Sequence, residues 1–354
     1  MSRTSILIPL TVIALGSLCS GRSLAQSPLP LDIEQVSERV LVMSPKTGNA
    51  RVVALESEQG LVMINSGFSP SFARQLRGEA ERAFGRRDWK AVIQTDAGFL
   101  NNGGAGAFPG AVLIAHENRP EYMQASGEVN TAGLSGQREE FEARVTRSEA
   151  MLDTLQGNPE RRQGLEEWIE LCRRIADDLG HFWEIPLPGL TFSDRLTLDL
   201  GDLTLECIWF GETAESADVL VRVPEENLVW MGDICHAAHV LPYGRVTGRV
   251  LDVDRWLTVL DEMLAGDPAT MKVFRANGEE PWSWQKIHDR RTLIADVRDA
   301  VLHAQARGET REAFMERIAD VGSLFPYVRG WQNTELALIS HDVGNLAAGL
   351  WPER

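Results

Sequence analysis

The segment from Trp89 to Gly104 constrains this chain more than any other part of it. Trp89 to Thr95 is an apolar run of strand length, the composition of a strand covered on both faces. It opens into Asp96-Ala97-Gly98-Phe99-Leu100-Asn101-Asn102-Gly103-Gly104, a loop that carries a carboxylate and two amides and closes on paired glycines. A buried strand ending in such a loop delivers polar groups to one edge of a sheet.

The neighbouring segments repeat the strand pattern. Arg39 to Met43, Arg51 to Leu55 and Gly60 to Ile64 read as strands, separated by Pro45, Gly48, Asn49 and Gly60. Ser71 to Phe84 has helical spacing, and Ala111 to Ala115 is a further strand that ends at His116. Arg138 to Gly180 is rich in Glu, Arg and Leu, and Asn158-Pro159 divides it into two helices. Strand patterning returns from Leu196 to Phe210 around a Gly201-Asp202 turn. It continues in Asp218 to Val223 and Asn227 to Trp230, on either side of Pro224-Glu225-Glu226. Helices are expected at 254–265, 286–306 and 309–320, with a break at Phe325-Pro326-Tyr327. Strands alternating with helices predict an α/β chain with helices on the outer faces of its sheets.

Residues 1–25 read as a secretory signal. Arg3 supplies the positive start, Ile6 to Cys19 the apolar run, and Ser23-Leu24-Ala25 the small residues before a mature start at Gln26. An uncleaved anchor is the alternative, and Leu18 is too large for a lipoprotein site at Cys19. The expected location is the periplasm or the secreted space, with no membrane span after cleavage. A formal net charge of −16 argues against nucleic acid as a partner. Three cysteines, Cys172, Cys207 and Cys235, remain after cleavage, so they cannot all pair within the chain. Cys172 and Cys207 lie in helix-like and strand-like runs and read as buried small apolar residues. The late tryptophans, Trp230, Trp256, Trp282, Trp284, Trp331 and Trp351, read as packing residues, since Trp buries a large area wherever it sits.

Four blocks together resemble the metallo-β-lactamase superfamily, in particular its periplasmic alkyl sulfatase-like and quinoprotein-associated hydrolases. Thr95, Gly103 and Gly104 fall where that family writes T-H-x-H-x-D-H-x-G-G, while its four ligand slots hold Asp96, Gly98, Leu100 and Asn101. Apart from the four blocks, Asn65-Ser66-Gly67 stands where the family writes D-T/S-G. Phe210 to Asp218 places Ala214 in the next ligand slot, with Glu215 beside it. Gly232-Asp233 matches the pair whose Asp bridges two metals, and Val273 to Gly278 resembles V-V-P-G-H-G with Asn277 in place of its last His.

The resemblance implies an αβ/βα sandwich over residues 30–284, with a helical insertion at about 136–180 and a helical extension over 285–354. It implies zinc as the family cofactor, yet a catalytic zinc site needs about three protein ligands. Of the family slots only Asp233 keeps its identity, so no resident metal is expected. Asp96 and Asp233 are the candidate catalytic carboxylates; Asn101, Glu215, His236, His239, Arg245 and Asn277 are the candidate pocket residues. His236 and His239 would share one face of a helix, either as a rebuilt ligand pair or as hydrogen-bonded residues packed beneath the site. Arg245, or Arg249 one register away, matches an Arg that contacts the anionic head of a sulfate ester, and a surface ion pair is the alternative. His116 and His288 read as structural or exposed.

Three functions remain open at this level. One is a non-catalytic binding or regulatory protein on a hydrolase fold, its small-molecule ligand unspecified. The second is a hydrolase of ester or sulfate-ester class built on Asp96, Asp233, Glu215, His236 and His239. The third is a structural partner in an exported complex. The chain has no G-x-S-x-G elbow and no phosphate-binding G-x-x-x-x-G-K loop.

Overall fold

The computed structural model describes residues 28–47, 50–126, 131–155, 157–181, 185–213, 216–232, 234, 251–267, 269–276, 282–318, 320–325 and 343–351. Their strands form two sheets. The first contains β1 (Leu31–Ser37), β2 (Val40–Pro45), β3 (Val52–Ser57), β4 (Gly60–Ile64), β5 (Trp89–Ile93), β6 (Val112–His116) and β7 (Leu190–Phe192), in that spatial order. β1 to β4 are antiparallel and β4 to β7 parallel. The second contains β8 (Arg195–Asp199), β9 (Thr204–Trp209), β10 (Val219–Val223), β11 (Leu228–Trp230) and β12 (Lys272–Phe274). All its pairs are antiparallel except β11 with β12.

Alternation along the strands divides the core. Val53, Val62, Ile93, Cys207, Val221 and Trp230 lie between the two sheets. Met63 and Val92 face the other way, onto α1 (Pro70–Phe84) and the helical pair α4 (Thr131–Leu152) and α5 (Pro159–Leu179). Leu220, Val229 and Val273 pack beneath α6 (Val253–Leu264) and α7 (Trp284–Ala306). The order helix, sheet, sheet, helix is the expected αβ/βα sandwich. Trp230 and Trp256 are fully buried, the packing role expected of them.

The helix limits follow from capping. Ser69 accepts from Phe72 N at the start of α1, Pro70 occupies its first turn, and Gly85 closes it in the left-handed region. Asn158 caps α5 in the same way, accepting from Arg161 N, so the Asn158-Pro159 pair splits the helical segment as expected. α4 begins at Thr131, upstream of the apolar spacing that marks the helix in the sequence. Its buried stripe of Leu134, Phe141 and Ser148, repeating every seven residues, explains the earlier start. Two strands and one helix carry no such signal. β1 is mostly exposed, β7 has three residues, and α3 (Arg119–Ser126) is short with Pro120 in its first turn.

Cys172 and Cys207 are free and buried. Burial pushes the Cys172 thiol up to about 11 and the Cys207 thiol up to about 12. Neither is expected to react with a disulfide reagent at pH 8 in the native protein, and both should react after unfolding. A Cys235→Ser variant, which isolates these two thiols, provides the measurement; prompt native labelling of either would contradict the burial.

The sheets are tied together at the edge where β4 begins. Arg39 bridges Asp202 at 2.9 Å and Glu226 at 3.2 Å. Asp202 also accepts from Glu58 N at 2.7 Å. That backbone donor, with Arg39 beside it, holds the Asp202 carboxyl below its usual range. The opposite edge, where β4, β5, β11 and β12 end, is left for the candidate site.

Candidate functional site

The loop after β5 folds around Asp96, which is 1% exposed. One carboxylate oxygen, Oδ1, accepts from Gly98 N at 2.9 Å and from Asn102 Nδ2 at 3.0 Å. The other, Oδ2, accepts from Asn101 Nδ2 at 3.0 Å and lies 3.3 Å from Thr95 Oγ1. The Asp96 main-chain carbonyl accepts from Asn102 Nδ2 at 3.0 Å and from Arg119 Nε at 3.2 Å. The short helix α2 (Phe99–Asn102) aims both amides at the carboxylate.

A second set of bonds fixes this loop to its neighbours. Asn65, just past β4, takes a left-handed conformation with φ 62°. Its Oδ1 accepts from Thr95 N at 3.1 Å and from Thr95 Oγ1 at 2.8 Å. Trp230 Nε1 donates to Thr95 Oγ1 at 3.3 Å, linking the loop to the second sheet. Ser66 N and Gly67 N both donate to Asn101 O.

Gly103 and Gly104 have a steric role. A Cβ on Gly103 would run into the Phe68 carbonyl, and one on Gly104 into Ser66 O and the Ala73 methyl. Gly232, after β11, has φ 56°, and a Cβ there would lie 2.9 Å from Thr95 Oγ1. Gly232 O accepts from Ala276 N at 2.9 Å. The main chain on either side of this edge therefore comes together at Thr95, Gly232 and Ala276.

Of the sequence-derived candidates, Asp96 and Asn101 lie within the described residues and are hydrogen-bonded to each other. Asp233, Glu215, His236, His239, Arg245 and Asn277 lie outside the described residues. Gly232 and Ala276, which precede Asp233 and Asn277, are in place beside the loop. Motif reading passed over Asn102, at an unassigned position between the last ligand slot and the glycines. It also passed over Arg119, which is buried on the Asp96 carbonyl. The signal for Asn102 was the doubled amide before Gly103-Gly104; Arg119 had none within the motif. His116 is buried against Trp209 at 4.7 Å, donating from Nε2 to Ser193 O while Asn118 N donates to its Nδ1. His288 is exposed and stacks on Trp284.

No family model matches the chain. Over 118 residues it is 25% identical to the metallo-beta-lactamase type 2 of Bacteroides fragilis, a match covering 33% of this chain and 45% of that protein. Among solved structures it is similar to the inverting sec-alkylsulfatase Pisa1 from Pseudomonas sp., with a TM-score of 0.57 at 16% identity. That superposition covers 92% of this chain and 50% of the sulfatase. A double mutant of the sec-alkyl sulfatase PisA1 gives a TM-score of 0.54 at 15% identity, over 80% of this chain and 45% of that one. This chain has the metallo-β-lactamase fold. It spans about half the length of the alkylsulfatase, and its match to the β-lactamase spans under half of that protein.

The motif resemblance places metal-ligand slots on the loop after β5, so the donors present here can be tested against that role. Gly98 has no side chain, Leu100 has no donor atom, and Asn101 turns its NH₂ toward Asp96. Zinc requires several His, Cys or carboxylate ligands. Among the described residues, no group of three or more such side chains is placed to hold a metal ion. The Asp96 oxygens face N–H groups, which occupy the directions a cation would use. On this loop the residues do not fit the family metal.

Proposed function

We propose that this chain is an exported binding or regulatory protein on a hydrolase fold, with the fold's metal chemistry lost from the Asp96 loop. The observation that carries the reading is the Asp96 carboxylate, closed off by two side-chain amides and a backbone N–H. Metal-assisted hydrolysis needs an ion that lowers the pKa of water and polarises the scissile group. Gly98, Leu100 and Ala214 offer no ligand atoms, and Asn101 uses its amide to hold Asp96. The proposed location is the periplasm or the exterior, with Gln26 as the mature N-terminus.

The fold likeness to an alkylsulfatase supports a second reading, a sulfate-ester or ester hydrolase rebuilt on Asp96, Asp233, Glu215, His236 and His239. One experiment separates the two. The mature protein is analysed for bound metal, then assayed on esters, lactams, sulfate esters and phosphodiesters with and without zinc or manganese. The expected result is substoichiometric metal and no metal-dependent turnover. Turnover that requires metal and vanishes in Asp233→Ala would establish the hydrolase instead.

A further inference from the structure

We propose that a cavity remote from the Asp96 loop, between the N-terminal entry to β1 and helix α5, binds a small organic cation: an alkyl- or arylammonium with an apolar body about the size of benzene. The cavity has a volume of about 190 Å³. Its floor is formed by Leu29, Pro30, Pro45 and Leu171. An apolar protein cavity of about 150 Å³ is enough to hold benzene, so the space suits a ring or a short branched alkyl group.

The floor is preformed. Leu29 N donates to Gln75 Oε1 at 3.0 Å, and Gln75 Nε2 donates back to Leu29 O at 2.6 Å. Lys46 N donates to Pro30 O at 3.3 Å, which fixes the facing segment. The rim supplies the charge preference. Gln163, Glu166, Glu167 and Glu170 follow helical spacing, so α5 presents all four on one face. Gln163 Nε2 orients the Glu167 carboxylate at 3.0 Å, and Arg162 pairs with Glu166 at 3.0 Å. Glu170 makes no ion pair among the described residues. Among the described residues, Lys46 is the cation that lines the cavity, against these three carboxylates. An organic anion meets net repulsion there, and a neutral molecule gains only the apolar contact. A cation gains both.

The test titrates the full mature chain with benzylammonium, benzyl alcohol and benzoate, followed by calorimetry or by chemical-shift mapping. Benzylammonium is expected to saturate and to bind about fivefold tighter than benzyl alcohol, the scale of two part-exposed charge pairs. Benzoate should bind weakest, and salt should narrow the spread. The Glu167→Gln/Glu170→Gln double variant, altered on the rim of a surface helix, should lower benzylammonium to the level of benzyl alcohol and leave benzyl alcohol unchanged. Equal affinity for all three probes, a charge preference that survives the double variant, or no saturation at tens of millimolar would overturn the proposal. None of these readouts involves metal or turnover, so failure here leaves the Asp96 reading untouched.

Discussion

Replacing Asp96 by alanine is expected to cost about 3–5 kcal/mol of folding stability, and the loss should be the same in chelator as in added zinc. The carboxylate accepts from Gly98 N, Asn101 Nδ2 and Asn102 Nδ2 and lies close to Thr95 Oγ1, in a site closed to solvent. Hydrogen bonds to an ionised group contribute about 1.5–3 kcal/mol each, and a buried donor left without a partner carries its own desolvation penalty of about 1–3 kcal/mol. Alanine removes the acceptor shared by all of them, and the hole is too enclosed for water to restore every bond. Urea denaturation with wild-type and variant under both metal conditions gives the comparison. A wild-type protein that gains stability with zinc, and a variant that does not, would show that Asp96 is a metal ligand and that the amides move aside for the ion.

The loop also shows which parts of a motif report fold and which report chemistry. Gly103 and Gly104 persist in this sequence because a Cβ at either would meet backbone or the Ala73 methyl, a conflict present whether or not a metal binds. Thr95 persists because its hydroxyl joins Asn65 and Trp230 across the two sheets. These positions made the fold legible from one sequence. The slots at Asp96, Gly98, Leu100 and Asn101 report chemistry instead, and here Asp96 and Asn101 are bonded to each other. Their reading as a site without metal came from the atoms each side chain lacks. The hydrogen bonds that Asn102 and Arg119 make to Asp96 could not be read in that way, because both occupy positions to which the motif assigns no chemistry. Likewise β1 was missed because it is an exposed edge strand, held by pairing with β2 rather than by an apolar pattern of its own.

Asn65 stands where the resembled motif writes Asp, and Asn65→Asp tests what a second carboxylate does beside Asp96. The substitution keeps the left-handed backbone accessible, since Asn and Asp both tolerate φ near 62°. It also keeps an oxygen for Thr95 N and Thr95 Oγ1, the two donors Asn65 Oδ1 now serves. Among the described residues Asn65 Nδ2 has no hydrogen-bond partner, so no bond of its own is lost there. What changes is charge. Asn65 Oδ1 and Asp96 Oδ2 both lie within 3.3 Å of the same hydroxyl oxygen, Thr95 Oγ1, which has one proton to give. Two ionised carboxylates there would repel across a buried site, which raises the folded-state pKa of the new acid above its unfolded value of about 3.9. A raised acid pKa means that the folded state holds the extra proton, so stability falls as pH rises from about 4 through the raised pKa. A rise of about two to three units corresponds to about 3–4 kcal/mol. The variant is therefore expected to match wild-type near pH 4 and to fall about 3–4 kcal/mol below it at pH 8. A deficit at pH 8 that added zinc or manganese abolishes would mean that a cation can sit between the two acids. The loss of metal chemistry proposed above would then depend on Asn65 as much as on the ligand slots.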